Sequence, residues 1–412
     1  MNILWLSHLV PYPPTGLGVL QRSYNLIREL SRAHPVYLLA FIQKKLLIDT
    51  GGDDLERGLA KASEELSKFC KAVQFVPIPC EESPFGRLGL ALKSLVTPDP
   101  YTINWLKSPV MGAAIDDWNL RYSFDAVHFD TISLAPYRDR FPKCKKILDH
   151  HNIESHMMYR RAEIESNPLK KAYFWQEAVK LGRYEKRACP DFDLHVTCSA
   201  LDSDRLGELV PGLNIVDIPN GVDLDYFRPS GEAQKPTSVV FAGNMSWYPN
   251  RAAMEFFATE VWPKLKATVP DVQADVIGAN APGELAAMAD SDPSFRVRGF
   301  VDDVRPYIDR AAVYVCPIMD GGGTKLKVLD ALAMGKALVA NPIACEGIDV
   351  REGESVLFAE TGEEFVRQIT RLFNDDALRL QIGRKGRELV EGVYGYKSIG
   401  EKFAGAIESL IK

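Results

Sequence analysis

Short apolar runs alternate with longer amphipathic ones along most of the chain. The first half carries the spacing of buried strands at 2–8, 36–42, 126–129, 146–150 and 194–199, with a helix at 19–33. The pattern resumes with strands at 238–244, 272–278, 295–300, 313–318 and 337–341, and helices near 250–268, at 325–334 and at 396–412. This alternation predicts the α/β class, with two consecutive Rossmann-like domains built on parallel sheets.

The pattern pauses at IPNGVDLDYFRPSGEAQKP, residues 218–236, where Asn-Gly, two prolines and polar residues cluster. We interpret this stretch as a linker. It separates an N-terminal domain, 1–217, from a C-terminal domain, 237–395, and the amphipathic segment 396–412 follows with no strand after it.

Composition agrees with two globular domains and limits the function classes. The chain has 412 residues, 46% of them hydrophobic and 25% charged. Its net charge of −6 argues against a dedicated nucleic-acid binder, which normally carries a strong basic excess. The seven cysteines are odd in number and form no C-x-x-C pair, so neither a disulfide framework nor structural zinc is indicated. Cys316 and Cys345 have the surroundings of core residues.

The compartment follows from targeting signals. The N-terminus, MNILWLSHLVPYPP, lacks the basic region and long apolar region of a signal peptide and fits a buried first strand. No apolar stretch reaches the length that a membrane span requires. We therefore expect a cytoplasmic protein, with peripheral contact at the inner membrane face kept open.

The segment DGGGTKLKVLDALAMGKALVA, from 320 to 340, is the main candidate for chemistry. A strand precedes it, and a helix over 325–334 follows, with Thr324 as a plausible N-cap and Gly335 at a left-handed C′ position. In open α/β sheets ligands bind at such strand-to-helix connections, where free N–H groups and the helix dipole favour an anion.

The helical wheel adds a second indication. Lys327 and Asp330 share the face opposite the leucines. A phosphate at the helix start would leave the Asp330 carboxylate within reach of a sugar hydroxyl, which favours a nucleotide site. The simpler alternative is a glycine-rich turn followed by a surface ion pair.

Two other nucleotide sites are excluded by their motifs. The chain contains no G-x-x-x-x-G-K-[ST] stretch, so it has no P-loop. Gly16 and Gly18 begin a dinucleotide fingerprint, but Gln21 stands where its third glycine belongs.

Five motifs resemble those of GT-B glycosyltransferases, in the large retaining class called glycosyltransferase family 4. They are Pro11-Tyr12-Pro13-Pro14 with Gly16 and Gly18, Pro219-Asn220-Gly221-Val222-Asp223, Phe241-Ala242-Gly243-Asn244, Gly299-Phe300-Val301-Asp302-Asp303, and the 320–340 segment. The resemblance implies a nucleotide-diphosphate-sugar donor on the C-terminal domain and an acceptor on the N-terminal domain, across a central cleft. It also implies that the terminal helix crosses back to the first domain and that no metal or other cofactor is required.

Site residues are carried over from these motifs. The implied donor-binding residues are Gly16, Gly18, Gly243, Asn244, Phe300, Val301, Gly321, Gly322, Gly323, Thr324, Lys325, Lys327 and Asp330. Two departures matter. The family often has two glutamates where this chain has Gly322 and Asp330, and its Arg…Lys pair after the first turn of the donor domain is absent. We therefore assign the phosphate to Lys325 and Lys327, with Lys325 also counted as catalytic.

A histidine cluster ends another predicted strand, in KILDHHNIESH from 146 to 156. The resemblance makes His151 and Asn152 the catalytic residues that face the donor sugar, although His150 is an open alternative. A capping role for the pair is the structural alternative. Zinc is disfavoured, because adjacent histidines on a strand end point apart.

The stretch 160–190 holds eight Lys/Arg against four Glu, together with four aromatic residues. As a helix it could lie on an anionic membrane surface, as could 84–96. A solvated helix with core aromatics is the slightly favoured alternative.

The sequence thus predicts a retaining, hexosyltransferase-type glycosyltransferase that acts on a glycan or lipid-linked glycan of the bacterial surface, as in polysaccharide biosynthesis. The alternatives are another GT-B nucleotide-sugar enzyme, such as an epimerase, or a non-catalytic two-domain sugar-binding protein. An NAD oxidoreductase is disfavoured by Gln21.

Overall fold

The computed structural model describes residues 1–13, 18–51, 54–321 and 324–411. The chain divides into two compact units, Met1–Pro219 with Ile399–Lys412, and Asn220–Ser398. Each unit has its own parallel sheet, which confirms the predicted α/β class with two Rossmann-like domains.

The sheet of the first unit shows, within the described ranges, seven parallel strands in the order β3-β2-β1-β4-β5-β6-β7. The strands are β1 Ile3–Ser7, β2 Val36–Ile42, β3 Ala72–Pro77, β4 Ala126–Phe129, β5 Lys145–His150, β6 Leu194–Thr197 and β7 Ile215–Asp217. The helices are α1 Gly18–Leu30, α2 Lys44–Gly51, α3 Leu55–Leu66, α4 Gly86–Val96, α5 Tyr101–Asn104, α6 Pro109–Arg121, α7 Glu154–Ile164, α8 Pro168–Ala188 and α9 Ala200–Leu209. This order reverses between β1 and β4, where open α/β sheets bind ligands.

The first strand shows why the sheet forms. All five residues of β1, Ile-Leu-Trp-Leu-Ser, are buried, as expected for a central parallel strand. Leu4 and Leu6 join one core cluster, and Ile3 and Trp5 join the other. The alternation of side chains along β1 therefore supplies the cores on both faces of the sheet.

The sheet of the second unit repeats this order over six parallel strands of the described chain, β10-β9-β8-β11-β12-β13. The strands are β8 Lys235–Ala242, β9 Gln273–Ile277, β10 Phe295–Gly299, β11 Ala311–Cys316, β12 Ala337–Ala340 and β13 Leu357–Phe358. The helices are α10 Tyr248–Phe256, α11 Trp262–Thr268, α12 Gly283–Ser291, α13 Arg305–Arg310, α14 Leu326–Ala333, α15 Gly362–Asn374 and α16 Asp376–Leu389, and the last helix, α17 Tyr396–Ile411, begins at the end of this unit. Its point of reversal lies between β8 and β11.

Two sequence expectations need adjustment in this unit. The single helix expected near 250–268 is two helices, α10 and α11, separated by a π-helical turn at Phe257–Val261. Pro263 explains the break, because it lacks the N–H that a continuous helix would use. Strand β8 begins at Lys235, inside the stretch expected to be linker.

The last helix, α17, joins the first unit from Ile399 onward. Its apolar residues Ile399, Phe403 and Ile407 are four apart and fully or almost fully buried in the core cluster that contains Trp5. No described helix has both the length and the apolar character that a membrane crossing requires.

Candidate active site

The glycine-bearing loop follows β11 at the point of reversal of the second sheet. β11 ends at Cys316 and α14 begins at Leu326, so the loop lies at the carboxyl edge beside the end of β8. Gly322 and Gly323 lie outside the described residues. The location is the one that ligands occupy in doubly wound sheets.

Gly321 is required where it stands. Its φ of +97° belongs to the left-handed side of the Ramachandran map, and a Cβ added there would lie 2.9 Å from the ring of Trp247. The neighbouring Asp320 accepts a hydrogen bond from the Tyr248 hydroxyl. The loop therefore packs against the start of α10.

Two lysines converge on this loop. Lys325 is buried, and its Nζ donates to the carbonyl oxygen of Gly321 at 2.6 Å. The Nζ of Lys327 donates to Asn250 Oδ1 at 2.6 Å. Asn250 in turn donates to the carbonyl oxygen of Asn244 at 2.7 Å, so the loops after β8 and β11 are joined through one lysine.

Lys327 and Asp330 do not form the ion pair considered for this helix face: within the described chain no ion pair joins them, and Lys327 bonds to Asn250 instead. Burial lowers the pKa of Lys327 to about 8 and raises the pKa of Asp330 to about 7. Near pH 7 the Asp330 carboxyl is thus about half protonated, whereas Lys327 is still mostly charged, and a bound phosphate would favour the charged lysine further.

The prediction that Thr324 is the N-cap of helix α14 is wrong. The N-cap of α14 is Lys325, which has extended backbone angles and makes no side-chain capping bond. The Thr324 hydroxyl is buried and has no hydrogen-bond partner among the described residues. The helix therefore begins one residue later than predicted, and it ends as predicted before Gly335, whose φ is +63°.

The remaining donor-site residues of the second unit lie at the same edge of its sheet. Gly243 and Asn244 follow β8, and a Cβ at Gly243 would lie 2.8 Å from Asn250 Nδ2. Phe300 and Val301 follow β10, two strands away from β8. The Phe300 side chain is 76% exposed, whereas Val301 packs against the core.

In the first unit, Gly18 is the exposed first residue of α1, at the carboxyl edge of the sheet, and Gly16 lies outside the described residues. His151 and Asn152 follow β5 at this edge. The two units thus carry separate sets of candidate residues, each at the carboxyl ends of its own strands.

Asp130 organises the set in the first unit. It follows β4, and its buried carboxylate lies 3.2 Å from His8 Nδ1 and 3.2 Å from His151 Nε2. The hydroxyls of Ser7 and Ser23 donate to it at 2.9 and 3.0 Å. One carboxylate therefore holds two imidazoles in place at the point where the sheet order reverses.

The charges in this cluster support one another. Burial alone would raise the pKa of the Asp130 carboxyl, but His151 and His8 hold it well below its ordinary value. Burial alone would lower the pKa of His151, but the neighbouring Asp130 carboxylate holds that pKa well above its ordinary value. The arrangement favours a protonated His151 paired with an ionised Asp130.

The neighbouring histidine has a different environment. His150 is buried, its Nε2 lies 3.1 Å from His195 Nδ1, and burial lowers its pKa to about 3. His195 Nε2 lies 3.0 Å from the carbonyl oxygen of Cys189. His151 is therefore the partly exposed member of the pair, and His150 is a neutral core histidine.

The sequence analysis did not single out Asp130, His8, Ser7 or Ser23. A signal was available, since Ser7 and His8 end the first strand and Asp130 ends the fourth. Polar residues at adjacent strand ends meet at one edge once the strand order is known.

Among the residues that the structure describes, three groups of side chains have ligand atoms close enough to hold a metal ion, within 4.8 Å of one another. They are His150, Cys189 and His195; His8, Asp130 and His151; and Asp149, His151 and Cys198. In the second group the imidazole nitrogens already bond to Asp130, so its donor set is satisfied without an ion.

Sequence comparison finds a family similarity within the second unit. Residues 236–375 match the family described as Glycosyl transferases group 1. The chain is 27% identical to a phosphatidyl-myo-inositol mannosyltransferase of Mycolicibacterium smegmatis over 177 residues, which are 41% of this chain and 45% of that protein. It is 23% identical to an uncharacterized 44.6 kDa protein in the cps region of Klebsiella pneumoniae, over 54% of this chain and 58% of that one. The chain spans about half the length of these curated relatives.

Solved structures share the fold along the whole chain. Sucrose-phosphate synthase from Thermosynechococcus elongatus has a TM-score of 0.71 at 15% identity, covering 100% of this chain and 99% of that one. HepE of Anabaena in complex with UDP has a TM-score of 0.66 at 13% identity, covering 99% and 100%. These similarities confirm the predicted GT-B fold, and the family match places residues 236–375 with Glycosyl transferases group 1.

Proposed function

We propose that the chain transfers a hexose-type sugar from a nucleotide-diphosphate-sugar to a hydroxyl acceptor, with retention of anomeric configuration, as in glycosyltransferase family 4. The observation that carries this proposal is the junction of Lys325, Lys327 and the Gly321 loop with Asn244 and Asn250. It combines lysine charge with a loop at the carboxyl edge of a doubly wound sheet, where a diphosphate binds.

A uridine nucleotide is the first donor to test. HepE, which shares the fold, has been crystallised with UDP and with UDP-glucose. In the proposed complex Lys325 and Lys327 neutralise the diphosphate, and the Asp330 carboxylate accepts from a ribose hydroxyl. Phe300 and Val301 lie beside the base.

The chemistry follows from what the donor site supplies. The bond between the anomeric carbon and the diphosphate oxygen breaks while the acceptor oxygen bonds to the same face of that carbon. The acceptor proton moves to the departing phosphate oxygen, so atoms and charge balance. Lys325 and Lys327 stabilise the negative charge that develops on the diphosphate, and protonated His151 with Asn152 binds hydroxyls of the donor sugar. No metal or other cofactor is part of this proposal, because the lysines fill the electrostatic role.

The acceptor proposed is a glycan or lipid-linked glycan of the bacterial surface, bound by the first unit. Two relatives support it: a mannosyltransferase whose name includes phosphatidyl-myo-inositol, and a protein of a cps region. The enzyme would then work in the cytoplasm in polysaccharide biosynthesis, with peripheral contact at the inner membrane face.

The test is a thermal-shift panel of UDP, GDP, dTDP, ADP and NAD on the native protein, Lys325→Ala and Asp330→Ala. A ligand at 100 times its dissociation constant stabilises by about 2.7 kcal/mol, which is visible as a melting shift. Lys264→Ala is the matched control, because Lys264 pairs with exposed Glu363 on another helix.

One nucleoside diphosphate should raise the melting temperature of the native protein and of Lys264→Ala but not of the two site variants. Stabilisation by NAD alone, or by none of the five, would contradict the donor site. Incubation with the matching nucleotide-sugar then separates the alternatives. An epimerase converts the donor without acceptor, a binding protein leaves it intact, and a retaining transferase gives product with the donor's anomeric configuration by NMR.

A further inference from the structure

Helix α4 is oriented with its apolar side outward. Phe85, which precedes it, and Leu88, Leu92 and Val96 lie on one side of the helix and are 58–86% exposed. On the opposite side, Ser94 is the buried residue, and Asn104 Nδ2 donates to its hydroxyl at 3.1 Å. A helix that belongs only to its own domain buries its apolar stripe, so this helix presents its stripe to something else.

Helix α8 adjoins the end of α4. Lys180 Nζ donates to the carbonyl oxygens of Ser94 and Leu95 at 2.6 and 3.0 Å, and Gln176 donates to that of Leu95 at 2.8 Å. These bonds fix the end of α4 against α8. Beside Gln176 the indole of Trp175 is 59% exposed, and Leu169 at the start of α8 is also exposed.

A groove of about 530 Å³ lies between α7 and α8. The apolar walls are supplied by Tyr159, Ala162, Pro168, Ala172 and Trp175, and the charged residues Glu163 and Lys171 also line the groove. An elongated apolar chain fits such a lining better than a polar ligand does.

The segment 160–190, which includes the end of α7 and all of α8, carries a net positive charge, whereas the whole chain is negatively charged. Residues 160–190 hold eight Lys/Arg against four Glu, a local charge of +4, whereas the whole chain carries −6. Glu177 and Glu185 are buried in the domain, so the surface itself is more basic than the count indicates. An exposed aromatic and apolar stripe flanked by lysines is complementary to anionic lipid headgroups above acyl chains.

We propose that the outward side of α4 and the adjoining part of α8 dock on an anionic membrane surface, with Phe85, Leu88, Leu92, Val96 and Trp175 entering the headgroup boundary. Lys93, Lys170 and Lys171 pair with lipid phosphates. Docking is independent of catalysis. Only the delivery of a lipid-linked acceptor to the first unit rests on the proposed function.

The experiment is vesicle sedimentation of the full chain without donor. Vesicles of phosphatidylcholine alone are compared with vesicles of phosphatidylcholine mixed with phosphatidylglycerol. The native protein should sediment with the anionic vesicles only. Leu88→Gln/Leu92→Gln and Lys170→Glu/Lys171→Glu should each weaken that binding about tenfold or more, because each removes two contacts of the docking surface.

Leu120→Gln is the matched control, since Leu120 on α6 is 89% exposed but lies outside the docking surface. It should bind like the native protein, and the melting temperatures of all variants should stay unchanged because the replaced side chains are exposed. Three results would overturn the proposal: no binding to anionic vesicles, equal loss in Leu120→Gln, or a dimer by light scattering that Leu88→Gln/Leu92→Gln dissociates. The last would show that a second copy covers the stripe. Because no donor is present, these results are separate from those of the nucleotide panel.

Discussion

Asp130 is the residue whose replacement tests the first-unit cluster most directly. Asparagine keeps the shape but replaces one acceptor oxygen with a donor, so the side chain in Asp130→Asn loses its negative charge and cannot accept from both His8 and His151 in their present positions. We expect the pKa of His151 to fall, as followed by NMR titration, and kcat of the proposed transfer to fall more than KM changes. An unsatisfied buried group also costs about 1–3 kcal/mol of stability.

The pH dependence of that cost has a defined sign. The pKa of His151 is higher in the folded protein than in the unfolded chain, where it has the ordinary value of about 6.5. The ion pair with Asp130 therefore contributes its full stabilisation of the fold below about pH 6.5. That contribution is lost as the pH rises through the pKa of the folded protein. The stability gap between native protein and Asp130→Asn should therefore narrow at high pH. Ser23→Ala is the control, because it removes one donor and keeps the charge. A gap of the same size at every pH would show that the pair is not charged.

The lowered pKa of Lys327 predicts that the affinity for the donor depends on pH. Burial lowers its pKa to about 8, so above that pH the free protein loses the charge that a diphosphate needs. Calorimetric titration should show the affinity for the nucleoside diphosphate falling above about pH 8, by up to about tenfold per pH unit. Lys327→Arg keeps its charge throughout and should remove this dependence. The same profile in both proteins would exclude Lys327 as the titrating group.

Asp330 makes a prediction about stability without ligand. Burial raises its pKa to about 7, so the folded protein holds a proton on Asp330 that the unfolded chain releases near pH 4. Melting temperature should therefore fall as pH rises from about 4 to 7, and Asp330→Asn should lack this component of the fall. Parallel curves for the two proteins over that range would mean that the carboxyl is already ionised.

At the scale of elements, the sequence predicted the central strands and the edge strand Phe295–Gly299 well, but it missed three other strands at the sheet edges. Val36–Ile42 and Ala126–Phe129 were located to the residue, because strands covered on both faces form continuous apolar runs. The strands Ala72–Pro77, Ile215–Asp217 and Leu357–Phe358 were not predicted. They lie at or near the sheet edges, where short or partly polar runs resemble loops.

The two candidate sites also differed in how far the sequence could predict them. A loop motif is contiguous, so 320–340 could be located from residue types alone. The Asp130 cluster could not, because its members come from β1, α1, β4 and β5, and only the strand order brings them together. Likewise, which of two adjacent histidines turns toward the core depends on His195, 45 residues further along.

The terminal helix is the element whose loss should affect the first unit most. Phe403 is fully buried, with ring centroids 6.2 Å from Trp5 and 5.6 Å from His128. Phe403→Ala should destabilise by about 3–5 kcal/mol, seen as a lower melting temperature, because the cavity would lie at the centre of this core. Phe403→Leu should cost less. A shift no larger than that of Lys402→Ala, at an exposed neighbouring position, would contradict this packing.

At the scale of the whole molecule, both units repeat one sheet order, and each places its polar candidates at the carboxyl ends of strands on either side of the reversal. The second unit carries the glycine-bearing loop with Lys325 and Lys327, and the first unit carries the cluster of Asp130, His8 and His151. This division of residues is the basis of the two tasks proposed above, in which the second unit would bind the nucleotide and the first would contribute groups to the transfer.

The second unit can be tested alone, because its ends meet. The amide of Val222 donates to the carbonyl oxygen of Tyr394 at 2.8 Å, and that of Tyr396 donates to the carbonyl oxygen of Val222 at 3.3 Å. The unit also has its own hydrophobic core. We expect a chain of residues 220–398 to fold and to bind the nucleoside diphosphate that stabilises the full protein, with a dissociation constant within about tenfold of the full-length value.

The same fragment should transfer no sugar, since His8, Asp130 and His151 are outside it. Calorimetry and a transfer assay on one preparation make the two results comparable, and Lys325→Ala in the fragment is the control for specific binding. A folded fragment that fails to bind would mean that residues of the first unit hold the nucleotide. Transfer by the fragment would show that His8, Asp130 and His151 are not needed for the reaction, because the residues of the second unit, including Lys325 and Lys327, would then carry it out alone.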